Sequence, residues 1–167
     1  MFNLSEYYKL IEKERNDHFK LFKLAPKDVF HKSFTEDTWS TELIFRHNLA
    51  VLNWFKTLIP NIDFEESTLA TKYGEKTEDS FSLEEIEKEF HKISPIIAEG
   101  IEKMTIEEEE EILKSPFGDN PRYKNIAGLL NHESNHLGQV IWIFKRITGW
   151  TDQEIREKLY GVPKKED

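Results

Sequence analysis

Residues 123–149 read YKNIAGLLNHESNHLGQVIWIFKRITG, a run of 3.6-residue periodicity that demands a long helix and stops at Gly149. On it Leu129, His132, His136, Gln139, Val140 and Ile143 share a face, so the apolar stripe carries two histidines four residues apart. Earlier stretches repeat the pattern. Residues 3–24 place Leu4, Tyr8, Ile11, Arg15, His18 and Phe22 on one stripe and end before Pro26. A second helix starts near Thr38 or Ser40, with Glu42 in its first turn, and ends at Pro60; Leu43, Ile44, His47, Val51, Trp54 and Leu58 form its buried stripe. Ser82 with Glu85 is a capping box that opens a third helix through Leu83, Ile86, Phe90, Ile93, Ile97, Ile101 and Met104. Pro95 removes a backbone bond from it and predicts a kink or a break near Ser94.

Shorter signals fill the rest. Thr105 with Glu108 caps a turn, and Glu107–Glu111 reads as a solvated face. Lys114–Pro121 is a turn-rich loop, and Thr151 with Glu154 opens a last short helix closed by Gly161 and Pro163. Residues 60–81 keep no period and form one long connection. The expected fold is all-α: a four-helix bundle with a long connection between helices 2 and 3 and a short C-terminal helix. Short links make helices 1 and 2, and likewise 3 and 4, antiparallel neighbours, while the 2–3 link is long enough to cross the bundle. Residues 1–163 form one domain and 164–167 a frayed tail.

Composition narrows the function. The chain has 167 residues, 32 acidic and 23 basic, for a formal charge of −9. A balance of that sign, with no basic face, argues against a nucleic-acid binder. No apolar run reaches membrane-span length, and the first residues show no signal-peptide core, so the protein is expected in the cytoplasm. With no cysteine in the chain, disulfides, thiolate metal sites and cysteine nucleophiles are excluded.

Six histidines remain as reactive groups, and three share a geometry. His132 and His136 lie about 40° apart on one helical face and can aim nitrogens at one divalent ion. His47 lies in the stripe of helix 2 between Leu43 and Val51. Three inward imidazoles supply the ligand count of a site that keeps a fourth position open; three separate core histidines, each bonded locally, are the plain alternative.

The segments ELIFRHNLAVLNWF and LLNHESNHLGQVIWIFKRITGW, in that order and separated by a long second link, resemble the DinB/YfiT-like proteins. That resemblance implies a four-helix bundle whose metal is held by one histidine of helix 2 and an H-x-x-x-H pair of the last long helix. It makes His47, His132 and His136 the ligands of a nickel, zinc or similar divalent ion. Leu137 departs from the pattern, since many members carry a second histidine or a nearby arginine there; the change alters the rim and leaves the triad intact. Some similar proteins use a low-molecular-weight thiol, and many form homodimers. The implied function is a metal-dependent enzyme of the small-thiol S-transferase or hydrolase type, acting on a small molecule in stress or detoxification. The alternative is a non-catalytic bundle acting through dimerisation or a protein partner.

HESNH also matches H-E-x-x-H, but no third zincin ligand or active-site strand accompanies it. Glu133, rotated from the midpoint of the histidines, is either an exposed or supporting carboxylate or the nearest candidate for a general base. Gln139, one turn further, orients a ligand or substrate or simply packs. Arg15 and His18 face a pocket mouth and receive an anionic substrate group, or snorkel and pair at the surface, His18 with Glu14. Trp39, Trp54 and Trp142 read as core or interface anchors, and His31 and His91 as surface residues.

Overall fold

The computed structural model describes residues 3–72, 78–114 and 118–162. The chain is all-α in substance: α1 (Leu4–Leu24), α2 (Thr41–Leu58), α3 (Leu83–Lys103), α4 (Ile106–Glu110), α5 (Arg122–Thr148) and α6 (Asp152–Tyr160). A 3-10 turn at Lys27–His31 carries His31, where a plain loop is expected. One antiparallel ladder of two residues, β1 (Ile112–Leu113) with β2 (Asn120–Pro121), also has no sequence signal. Part of the Lys114–Pro121 loop and the tail 164–167 lie outside the described residues. No helix among the described residues is long and apolar enough to cross a membrane.

The helix ends follow local chemistry. Asn3 and Ser40 accept backbone N–H bonds at the starts of α1 and α2. Reciprocal capping boxes form at Ser82/Glu85, Thr105/Glu108 and Thr151/Glu154. Gly149 and Gly161 end α5 and α6 in the left-handed region, where a side chain would be strained. Pro95 does not break α3, which runs continuously from Leu83 to Lys103. A proline costs a helix one N–H bond, and the buried face formed by Phe90, Ile93 and Ile97 holds the turns on either side together.

α1 packs against α3 and α5, and α2 packs against the same two helices. The pairs α1/α2 and α3/α5 therefore sit across the core from each other, which corrects the expectation that short links make them neighbours. The links are not short: residues 25–40 and 104–121 each have the reach to cross to the far corner. α1 and α2 meet through large side chains, as where the Phe19 and Phe45 rings stack with centroids 4.8 Å apart.

Side-chain bonds set the directions. Arg122 at the start of α5 donates to the Leu58 carbonyl at the end of α2, so these two run antiparallel. Glu42 near the start of α2 accepts from the Phe81 N–H just ahead of α3, and Ile59 past the end of α2 packs at Gly100 near the end of α3, so these run parallel. A link between parallel helices must return along the whole of α2, about 27 Å. The connection does so as a strap. Lys56 donates to the Phe64 carbonyl, Asn53 and Ser67 exchange two bonds, Arg46 donates to the Leu69 carbonyl, and Thr71 N–H donates to the Arg46 carbonyl. The length of residues 60–81 is thus a geometric necessity, and it brings Thr71 and Lys72 beside His47.

Candidate metal centre

His47 stands on α2, and His132 and His136 one turn apart on α5, where the two antiparallel helices pack. Their ligand nitrogens all lie within 4.8 Å of one another, close enough to hold one metal ion. His132 Nε2 is 2.9 Å from His47 Nε2 and 3.2 Å from His136 Nε2. Two nitrogens bound tetrahedrally at 2.0–2.1 Å from a zinc ion stand about 3.3 Å apart, so the spacing is close to that of a shared ion.

Hydrogen bonding alone serves this cluster poorly. A neutral imidazole nitrogen offers one proton or one lone pair, so His132 Nε2 cannot satisfy both neighbours in the plane of its ring. The tautomer of His136 sharpens the point. Its Nδ1 lies 2.9 Å from Gln139 Oε1, an acceptor, so Nδ1 carries the proton and Nε2 presents a lone pair to the centre. Burial, followed by the neighbouring His136 and His132 rings, pushes the His47 pKa down to about 4, a hydrogen bond with the Thr71 backbone working the other way. Burial and His136 lower His132 as well. Both rings are therefore neutral at pH 7, the protonation state a metal ligand requires.

Trp39 closes one side of the triad. Its ring lies nearly parallel to His136, with centroids 6.5 Å apart, and edge-on to His47 at 5.5 Å. Trp39 directly precedes the Ser40 cap, so the residue that fixes the entry of α2 also walls the site. On the other side His47 and His132 open onto a cleft of about 580 Å³ between α2 and α5. Among the described residues no other group of three His, Asp or Glu side chains could hold an ion, the glutamate run included.

Several expectations need correction. The histidine pair was expected to point into the core, yet only His136 is buried and His132 is exposed. The centre of the buried face of α5 is Glu133, 0% exposed, between Ile126, Leu130, Leu137 and Val140, so Leu137, expected at the rim of the site, belongs to the core. Its carboxylate is clamped by Arg15, itself 1% exposed: Arg15 Nε donates to Oε1 at 2.6 Å and Nη2 to Oε2 at 3.1 Å. Nη1 donates to Ser94 Oγ at 2.5 Å. Burial alone would lower the Arg15 pKa, but the Glu133 carboxylate and Tyr8 hold it above the usual arginine value. A carboxylate with both oxygens engaged by a buried guanidinium is a structural partner, so Glu133 is not placed as a general base, nor Arg15 as a substrate group. His18 is likewise buried, its ring nitrogens 2.7 Å from the Glu14 carbonyl and 3.1 Å from the Leu137 carbonyl, joining α1 to α5. Gln139 orients His136 and does not line the cleft.

The tryptophans divide. Trp54, expected in the core, is 37% exposed and walls the cleft, while Trp142 is exposed and packs edge-on with Phe34. His31 and His91 are exposed, as expected. Lys72 and Lys124, which line the cleft, carry no sequence signal: one lies in an aperiodic connection, the other on a polar helical edge. Compared with protein-family models, with curated proteins and with solved structures, the chain finds no match.

Proposed function

We propose that the protein is a four-helix bundle of DinB-like type that binds one divalent ion, nickel or zinc, through His47, His132 and His136 and acts on a small molecule in the cytoplasm. The observation that carries this reading is the convergence of three Nε2 atoms at the mouth of a cleft. Imidazole donors suit nickel and zinc, and three of them leave a coordination position for an incoming group. When bound, such an ion supplies Lewis-acid chemistry and lowers the pKa of a water or thiol beside it. The chain's own residues then hold His47 and His132 neutral, fix the His136 tautomer through Gln139 and shield one side with Trp39. The reaction class that fits is transfer of a small thiol or hydrolysis; the absence of cysteine from the chain places any thiol on the substrate side.

The test is access to the ion. Protein reconstituted with cobalt(II) should change its visible spectrum on addition of azide or a small thiol. A bound ion indifferent to both would make the centre structural. A second reading, a bundle acting through self-association, draws on the exposed Phe34 and Trp142 pair with Arg146 stacked over both rings. Sedimentation of wild type and Trp142→Ala separates the two: a monomer in both refutes this second reading.

A further inference from the structure

The cleft beside the triad has a length, a wall chemistry and a charge of its own. On α5 its lining positions Lys124, Gly128 and His132 stand one turn apart, so Lys124 lies two turns, about 12 Å, from the histidine that faces the cleft. On α2, Val51 and Trp54 continue from His47 in the same direction, because the helices are antiparallel. The trough is open at Gly128, where nothing lies within 4 Å of the position a Cβ would take. The middle of the trough is therefore apolar, formed by Val51, Trp54 and Leu129.

The ends are not apolar. Lys124, beside Asn120 and Asn125, marks the end away from the triad, and Lys72 enters from the strap. Lys124 makes no hydrogen bond or ion pair with another described residue, and it sits in the first turn of a 27-residue helix, where the backbone adds positive partial charge. Among the described residues lining the cleft there is no Asp or Glu, in a chain whose formal charge is −9. Cations concentrated in one concavity of an acidic surface select for anions.

We propose that this cleft binds an elongated amphiphilic anion, with its apolar chain along Val51, Trp54 and Leu129, its carboxylate or phosphate head at Lys124, and its reacting end at the histidines. At about 3.5 Å per three bonds, a chain of roughly eight carbons with its head group spans about 9 Å, and a contact of about 3 Å to the Lys124 ammonium completes the distance. Only the placement of the reacting end rests on the metal reading above; the chain and head preferences stand on the cleft itself.

The experiment uses the full chain, once stripped of metal and once loaded with cobalt(II), and follows Trp fluorescence with Trp54→Phe identifying the signal. The probes are octanoate, octyl phosphate, octanol, octylamine and butanoate. Octanoate or octyl phosphate should bind about two- to fivefold more tightly than octanol, the scale of one solvent-accessible ion pair. The tighter of the two anions identifies the head group. Butanoate, too short to reach both ends, should bind more weakly than octanoate. Lys124→Gln should erase the anion advantage and leave octanol binding unchanged, and high salt should shrink the advantage. Equal binding of octanol and both anions, tightest binding of octylamine, or an anion advantage that survives Lys124→Gln would overturn the proposal. Anion preference in a chain that takes up no cobalt would refute the metal reading alone; cobalt bound at an open position without anion preference would refute this one alone.

Discussion

Removing one partner of the Arg15–Glu133 pair should be among the most damaging single changes the chain can suffer. The pair sits at the centre of the core, 1% and 0% exposed, bonded at 2.6 and 3.1 Å, with Arg15 also held by Ser94 Oγ and stacked 4.7 Å above the Phe90 ring. Glu133→Gln leaves a guanidinium without its countercharge; Arg15→Met leaves a carboxylate with no donor. Breaking a buried pair in this way costs about 3–5 kcal/mol, a large share of the roughly 5–15 kcal/mol that stabilises a domain. For a chain of this length that is a fall in Tm of roughly 6–20 °C. Replacing both, as Arg15→Met with Glu133→Leu, removes the uncompensated charge and should recover most of the loss, because an apolar pair of similar volume carries no desolvation cost. Urea unfolding followed by circular dichroism on the two single variants and the double variant measures the coupling. Single-variant losses below about 1 kcal/mol, or a double variant no better than the worse single, would refute the placement of the pair in the core and reopen the base role of Glu133.

Other outcomes follow from the same geometry. Gly100→Ala puts a Cβ 2.4 Å from Ile62 Cγ2 and 2.8 Å from Ile59 Cγ2, so the strap must shift; a loss of about 1–3 kcal/mol in thermal unfolding is expected, and a neutral effect would show that the strap does not pack there. Gln139→Leu removes the acceptor that fixes the His136 tautomer and should weaken metal affinity by about 10- to 100-fold in a competition titration, with little change in stability of the metal-free chain. His47 is neutral in the folded chain down to about pH 4, whereas the unfolded chain protonates it near pH 6.5. The unfolded state thus binds the extra proton between those values, so metal-free stability should fall as pH drops through that window. The His47 share is about 1–2 kcal/mol after allowance for solvent at the partly open ring. Comparing wild type with His47→Gln at pH 7 and 4.5 isolates it, and identical pH slopes in the two would count against a buried neutral His47.

Much of this is legible in the sequence, and the failures have physical causes. Caps at Ser40, Ser82, Thr105 and Thr151, and the stop at Gly149, are local chemistry and fall where the residues place them. The three histidines meet because each lies on or beside an apolar stripe of its helix. The depth of α5 is harder to read: a stripe drawn through the histidines makes Glu133 peripheral, whereas it is the most deeply buried group of the motif. A signal exists in Arg15, a lone cation inside the α1 stripe, which needs an equally buried anion elsewhere. Helix adjacency is illegible for another reason: residues 25–40 read as a short link, but loop length bounds reach and does not choose the neighbour. The cleft lies between α2 and α5, and the strap that returns along α2 adds Lys72 to its lining, which no local pattern encodes.

The most direct test of the account is metal stoichiometry. Wild type, His47→Ala, His132→Ala and His136→Ala are stripped with chelator and titrated with zinc and nickel, with circular dichroism confirming that each variant folds. One ion per wild-type chain, and a loss of that binding in each of the three folded variants, is the predicted result. A wild-type chain that takes up no stoichiometric ion, or a His47→Ala chain that binds as tightly as wild type, would contradict it.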